Sequence, residues 1–452
     1  MGLKEAIVTI DNGSVSQIGM RRLLKRGAIA FAIVMSFRTF QFFPGMPYVQ
    51  EAWYAVCFLT VLFAYPFWKV RTGFRFAPFE LYLWLLMIAG LILAAWPAEH
   101  VFGQPFIYGI LSRRETVLVA GWLILAKMLQ RGIVELADID AALLFLAWST
   151  FVLYSVARLL FNPSDFTAYG EGLVTHPMVG VEPSFKFQPY FLIFGTFYYA
   201  IRGFRARRRR YYLAAAVLLL AALGGSGRGL ALCAVVTLLV FLYRVRGFRR
   251  TAIAAILFAG VAAILGAGFY VIFPQLLSTR IAGFSDAFSV ALTGSQTQDP
   301  SANARLFETV AALPYIKAHP FLGNGVVSHQ WQGGTETAIG EYFFAADIGI
   351  FGIVFSIGIV GLLLYAIQYR IAWLAAKQLP HSLHHPFLDA IKAFILFSAF
   401  YSLETGQYVW DANTTIFFVV LLNSFVARRD VDNPYYNWIS ERWPTLRPAL
   451  SA

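Results

Sequence analysis

Apolar runs close to or above the length that crosses a hydrocarbon core as a helix, roughly 17 to 25 residues, recur along the whole chain. They do not alternate apolar and polar residues with the period of two that a lipid-facing β-barrel strand requires, so a barrel is excluded. Hydrophobic residues make up 59% of the sequence and charged ones 13%, about half the charge a soluble domain carries on its surface. The chain reads as an all-α polytopic membrane protein.

Spans and loop charges together predict about twelve transmembrane helices with both termini in the cytoplasm. They fall near 28–43, 52–68, 79–96, 116–129, 139–161, a sixth ending at Arg202, then 211–223, 229–243, 252–273, 341–366, 388–403 and 414–426. Basic residues Lys69, Arg71 and Arg75, the block Arg202–Arg210 and the block Arg244–Arg250 mark cytoplasmic turns, so the net charge of +12 reports topology and gives no sign of a nucleic-acid partner. The leader ending in Arg21-Arg22-Leu23-Leu24-Lys25-Arg26 has no small-residue cleavage site behind it, and the first span is expected to stay in place. Cys57 and Cys233 lie inside apolar spans, which leaves no disulfide framework and no cysteine metal site. No repeat of fixed period divides residues 1–452, which read as one integral membrane domain with a large extracytoplasmic loop at 274–339. In the outer segment 97–115, Phe106–Leu111 is a candidate interfacial helix, and Arg113-Arg114 breaks the charge rule, so the pair is expected to have a ligand.

Titratable groups, glycines and aromatics gather most densely outside the spans between residues 304 and 352. Ser301–Ile316 reads as an amphipathic helix against the membrane surface, with Leu306, Val310 and Leu313 on one face and Ser301 or Asn303 as cap. Arg305 near its start and Arg280 before it are placed to grip a phosphate, or else face solvent. Arg228 sits in the glycine-rich turn Gly224–Gly229, where small residues let backbone and anion approach; the alternative is a snorkelling interfacial arginine. His319, extended by the following Pro320 and held by Gly323-Asn324-Gly325, is a candidate base or a structural imidazole. His329 stands beside Trp331, which suits sugar stacking or interface anchoring. Glu336 and Glu341 open the tenth span, as helix-dipole partners or as a base, and Asp347 is an intramembrane carboxylate, hence a functional-site or ion-pair candidate. His176 and Glu182, in the outer loop 162–187, are weaker candidates. Phosphate-binding loop, dinucleotide fingerprint, serine nucleophile elbow and His-Glu-x-x-His are all absent, so no cofactor is expected and any reaction draws on energy stored in its substrate.

Three features in order resemble the O-antigen ligase and polymerase superfamily of bacterial inner-membrane proteins: Ser226-Gly227-Arg228-Gly229 before an apolar span; Arg305 followed by His319-Pro320-Phe321-Leu322-Gly323-Asn324-Gly325; and Asp347-Ile348-Gly349-Ile350-Phe351-Gly352 opening the next long span. The sequence departs from the family pattern at an extra glycine between Ser226 and Arg228. It departs again where Ala338-Ile339 replaces the family's His-Asn-x-Tyr element, with His329 the candidate substitute. The likeness is greatest to exopolysaccharide repeat-unit polymerases. It implies a multispan (GT-C-like) glycosyltransferase using undecaprenyl-pyrophosphate-linked oligosaccharide at the outer face of the inner membrane. Arg228, Arg280 and Arg305 would then bind the pyrophosphate, and His319, His329, Arg305 and Glu341 would serve the chemistry without a metal. Membrane lipid and other polysaccharide export and chain-length proteins are the implied partners. Ligation of a finished glycan is the alternative in the same chemistry, and a transporter or flippase the alternative of another class.

Overall fold

A computed structural model describes residues 12–39, 45–63, 77–163, 165, 185, 188–225, 228–249, 251–252, 256, 260, 293, 295–297, 300–340, 343–379, 385–406 and 412–427. Every regular element longer than one turn among them is a helix: α1 (Asn12–Ser36), α2 (Met46–Phe63), α3 (Ala77–Phe102), α4 (Phe106–Ser112), α5 (Leu118–Gln130), α6 (Leu136–Leu160), α7 (Tyr190–Ala206), α8 (Arg209–Gly225), α9 (Arg228–Arg246), α10 (Pro300–Ala318), the single turn α11 (Thr335–Ala338), α12 (Gly349–Gln378), α13 (Pro386–Glu404) and α14 (Ala412–Ala427). Two short 3-10 turns, Arg114–Val117 and Ala345–Ile348, introduce α5 and α12. The all-α membrane class expected from the sequence is what is found. Among the described residues, Phe79–Phe102, Leu136–Leu160, Ala345–Gln378 and Pro386–Glu404 are long and apolar enough to cross a bilayer, and Leu232–Arg244 and Asn413–Val426 are shorter apolar helices. The expected ninth span, 252–273, lies outside the described residues apart from isolated positions.

The core is built on α13 and α14. From Ile416 to Leu422 every side chain of α14 is buried, as expected of a helix that is apolar all round. Helix α13 packs on α7, α9, α12 and α14. Phenylalanines knit these helices together: Phe418 stacks on Phe194 with centroids 5.3 Å apart and lies 4.2 Å from Phe394, and Phe37, just past α1, stacks on Phe191 at 5.3 Å. The interfacial helix expected at 106–111 is α4, which lies so close to α3 that a Cβ on Gly109 would overlap the backbone of Ala95.

Ion pairs sort onto the two ends of the bundle. At one end Asp138 accepts from Lys25 (2.7 Å) and Arg26 (3.2 Å), Glu80 pairs with Lys127 (2.6 Å), and Asp389 pairs with Arg205. These residues begin α3, α6 and α13 and end α5 and α7, so the helices run antiparallel as the loop charges require. At the other end the Arg113-Arg114 exception is resolved within the protein. Arg113 is buried between Glu115 (3.6 Å) and the Tyr365 hydroxyl (3.3 Å), and Arg114 meets Glu51. A buried guanidinium must have such partners or its desolvation goes uncompensated.

Helix α12 is broken in its middle. Gly358 has φ 67° and ψ −175°, which no helix accommodates. The break strands two carbonyls and two amides, and the segment 320–325 meets them all: the Asn324 and Gly325 amides donate to the carbonyls of Phe355 (2.7 Å) and Ser356 (2.9 Å), while Ile359 and Val360 donate to the carbonyls of Pro320 (2.9 Å) and Phe321 (3.0 Å). The Asn324 side chain adds a second bond to the Phe355 carbonyl at 2.9 Å. An unpaired backbone group in hydrocarbon costs several kcal/mol, so the inserted loop is what makes the break tolerable. Gly325, at φ 78°, also lies against α3, where a Cβ would overlap Ala98. Gly325→Ala is expected to lose about 2–4 kcal/mol, from left-handed strain plus overpacking, and Gly103→Ala, with equal backbone strain but open space, only about 1 kcal/mol. Thermal midpoints of the two variants in detergent measure the difference.

Candidate active site

The amphipathic helix expected at 301–316 is α10. Asn303 in its first turn reaches back to Thr297, accepting its N–H at 2.9 Å and donating to its carbonyl at 2.7 Å. The predicted apolar face is shifted: Phe307 and Val310 are the exposed side chains, with Leu306 and Leu313 half-buried, because α10 turns its other side toward α12 and the Ala345–Ile348 turn. That inner side carries Arg305 and Glu308.

Four helix ends converge there. Arg305 donates to Glu404, the last residue of α13, at 3.0 Å. The Glu404 carboxylate in turn lies directly on Gly229 at the start of α9, close enough that a Cβ on this glycine would overlap it. Gly229 follows Arg228, so the Arg305 side chain and the neighbour of the other predicted phosphate arginine meet at one carboxylate. The C-terminus of α13 is fastened to the turn before α12, where the Gly406 amide and the Thr405 hydroxyl both donate to the Ala346 carbonyl, at 2.8 and 2.9 Å. Asp347 sits in that turn with an exposed side chain, just ahead of α12, because the Gly349 backbone (φ 53°, ψ −128°) starts a new helix.

The Arg305–Glu404 pair is half-exposed, with 43% and 28% of the two side chains accessible. Such pairs stabilise a fold by about 0–1 kcal/mol, so Arg305 can exchange Glu404 for another anion at little cost. Arg113, sealed in the protein, cannot. Burial works against the charge on Arg305, but Glu404 and Asp347 outweigh it and hold its pKa above the usual arginine range.

Glu308 is the least ordinary group in the corner. Its Oε1 accepts the Phe344 amide at 3.3 Å and its Oε2 is buried with no hydrogen-bond partner. Burial, and next the Asp347 carboxylate, push its pKa up to about 7, against the pull of the Phe344 amide and Arg305.

The other expected site residues lie elsewhere or outside the described residues. His319 follows the end of α10, exposed, about 20 Å of helix away from Arg305. His329 is exposed beyond the inserted loop and packs against Gly334, and Glu336 is exposed in the single turn α11. Glu341, Arg280, His176, Glu182 and the Arg228 side chain fall outside the described residues. Glu404 and Glu308 were missed by the sequence reading; an acidic residue closing an otherwise apolar span was the available signal for Glu404.

Residues 211–366, which include every element of this corner but Glu404 and the end of α13, match the family model described as O-antigen ligase. No curated protein matches the chain.

Because Glu308 is raised from 4.5 to about 7, the folded protein holds a proton between these values that the unfolded chain releases. Stability from this group is therefore present below about pH 4.5 and lost as pH rises through about 7, by at most roughly 3 kcal/mol. Glu308→Gln should flatten that fall in a thermal-midpoint series across this range.

Proposed function

We propose that this chain, which carries an O-antigen ligase family domain over residues 211–366, is an exopolysaccharide or O-antigen polymerase. In this reading it joins oligosaccharide repeat units carried on undecaprenyl pyrophosphate at the outer face of the inner membrane. The observation that carries it is the Glu404 carboxylate, which accepts from Arg305 and lies on Gly229, the residue after Arg228, at an accessible end of the bundle. Twelve spans with cytoplasmic termini would put that end outside, since α9 and α12 start there and the basic blocks lie at the other end.

In the mechanism we infer, Glu404 holds Arg305 aimed at the corner until a pyrophosphate displaces it. The sugar's anomeric carbon then lies between the pyrophosphate and the hydroxyl of the acceptor chain. Negative charge grows on the leaving pyrophosphate as the glycosidic bond breaks, so the guanidinium groups of Arg305 and Arg228 stabilise the transition state more than the bound substrate. The N-terminus of α9 adds its partial positive charge at the same place. The exposed stripe Phe307 and Val310, two and five residues past Arg305, would rest in the outer leaflet beside the polyprenyl tail. Ligation to a lipid or protein acceptor is the second reading, favoured by the description of the matching family model.

Purified protein in lipid vesicles, given the lipid-pyrophosphate repeat unit alone, is expected to make a ladder of products on a gel. Arg305→Ala and Arg228→Ala should each reduce its rate by about 100-fold or more. A preparation that makes no ladder but transfers glycan once a lipid or protein acceptor is supplied is a ligase. His319→Ala should slow transfer less than Arg305→Ala; the reverse order would move the chemistry to the other end of α10.

A further inference from the structure

Transfer releases a proton from the attacking hydroxyl, and His319 stands about 20 Å of helix away from Arg305. Besides Glu404, two carboxyl groups lie near Arg305. Glu308 is one turn beyond Arg305 on the same face of α10, and its side chain is 6% exposed. One of its oxygens is tied to the Phe344 amide and the other has no donor. Asp347 lies in the turn that Phe344 begins, its own amide bonded to the Phe344 carbonyl at 2.9 Å, with its side chain exposed in the corner. The charged and titratable groups around the two are Arg305 on α10, Glu404 and Tyr401 on α13, and Cys233 on α9. Among the described side chains there Arg305 is the one cation, and it is already paired with Glu404.

An ionised carboxylate with a buried oxygen lacking any donor is costly, whereas a protonated one is tolerated. The Asp347 carboxylate acts on Glu308 in the same direction as burial, and two carboxylates that feel each other's charge resist ionising together. We propose that Asp347 and Glu308 form an electrostatically coupled carboxylate pair, in which Asp347 is the catalytic base that meets the acceptor hydroxyl and Glu308 is the positioning residue that sets its basicity. This rests on the transfer reading above. In the step itself the acceptor oxygen bonds to the anomeric carbon, and the bond from that carbon to the pyrophosphate oxygen breaks. The electron pair leaves with the pyrophosphate, the hydroxyl proton passes to Asp347, and from there it goes to water. When Glu308 ionises, its charge makes Asp347 a stronger base, so the rate rises through the titration of the pair.

The test is a pH–rate profile of vesicle-reconstituted protein with the lipid-pyrophosphate repeat unit, joined to an infrared titration of the same protein without substrate. Wild type is expected to show an acid limb centred near pH 7 and a protonated-carboxyl band lost over the same range. Glu308→Gln keeps an acceptor for the Phe344 amide, so a merely structural Glu308 would leave the profile in place. The proposal expects this variant to lose the band, move the limb down by at least about one pH unit, and lower the plateau about 10- to 100-fold with KM little changed. Asp347→Asn, with an unaltered thermal midpoint, should cost about 100-fold or more. An active protein whose profile is untouched by Glu308→Gln, or a wild type without the infrared band, overturns the pair and leaves the polymerase reading standing. A wild type that transfers nothing to any acceptor, yet shows the band, overturns the polymerase reading and with it the pair's catalytic role, but not the protonated Glu308.

Discussion

The architecture hangs on the break in α12. A span interrupted at Gly358 cannot persist in a bilayer unless its stranded amides and carbonyls are met from elsewhere in the protein. The segment 320–325 meets them, and in doing so it anchors everything on its N-terminal side. Helix α10 is thereby fixed at its C-terminal end to the middle of a transmembrane helix. At the same time its inner face rests on the turn that opens that helix. The corner holding Arg305, Glu308, Asp347 and Glu404 is the triangle this double attachment closes.

Two kinds of arginine stand at this end of the bundle, and their solvation tells them apart. Arg113 has given up water entirely and is matched by Glu115 and Tyr365, so removing a partner would leave a buried charge uncompensated. Arg305 keeps nearly half of its surface accessible, and its pairing with Glu404 is correspondingly weak in net free energy. A group that is to exchange one anion for another needs the second arrangement. Glu404 meanwhile holds the guanidinium in place.

Much of this was legible in the sequence, for physical reasons that also explain the rest. The all-α membrane class was legible because lipid demands long apolar runs; four of the described helices are long and apolar enough to cross, and most predicted helices that fall among the described residues overlap an observed one. The helices α4 and α10 were likewise anticipated. The Gly323-Asn324-Gly325 turn was recognised as a turn, but its purpose was not, because the partner it serves is a break hidden inside the uniformly apolar stretch 348–364. Glu404 pairs across 99 residues of sequence, and no local pattern announces such a contact. Glu308 looks like one more polar residue of an amphipathic helix until α12 is packed over it. The Arg113-Arg114 pair was read as a ligand site because its counter-ions, Glu51 and Glu115, differ so much in sequence distance that only one was in view.

The double attachment of α10 makes it a measuring rod. With its far end pinned at Pro320, the direction in which Arg305 points depends on the number of residues between them, each turning the helix by about 100°. Losing or gaining a single residue anywhere in that interval would swing the guanidinium away from Glu404, however conservative the residues themselves. Divergence along α10 should therefore be tolerant of identity on its lipid-facing stripe and intolerant of length, the opposite of the rule for the loops that connect ordinary membrane spans.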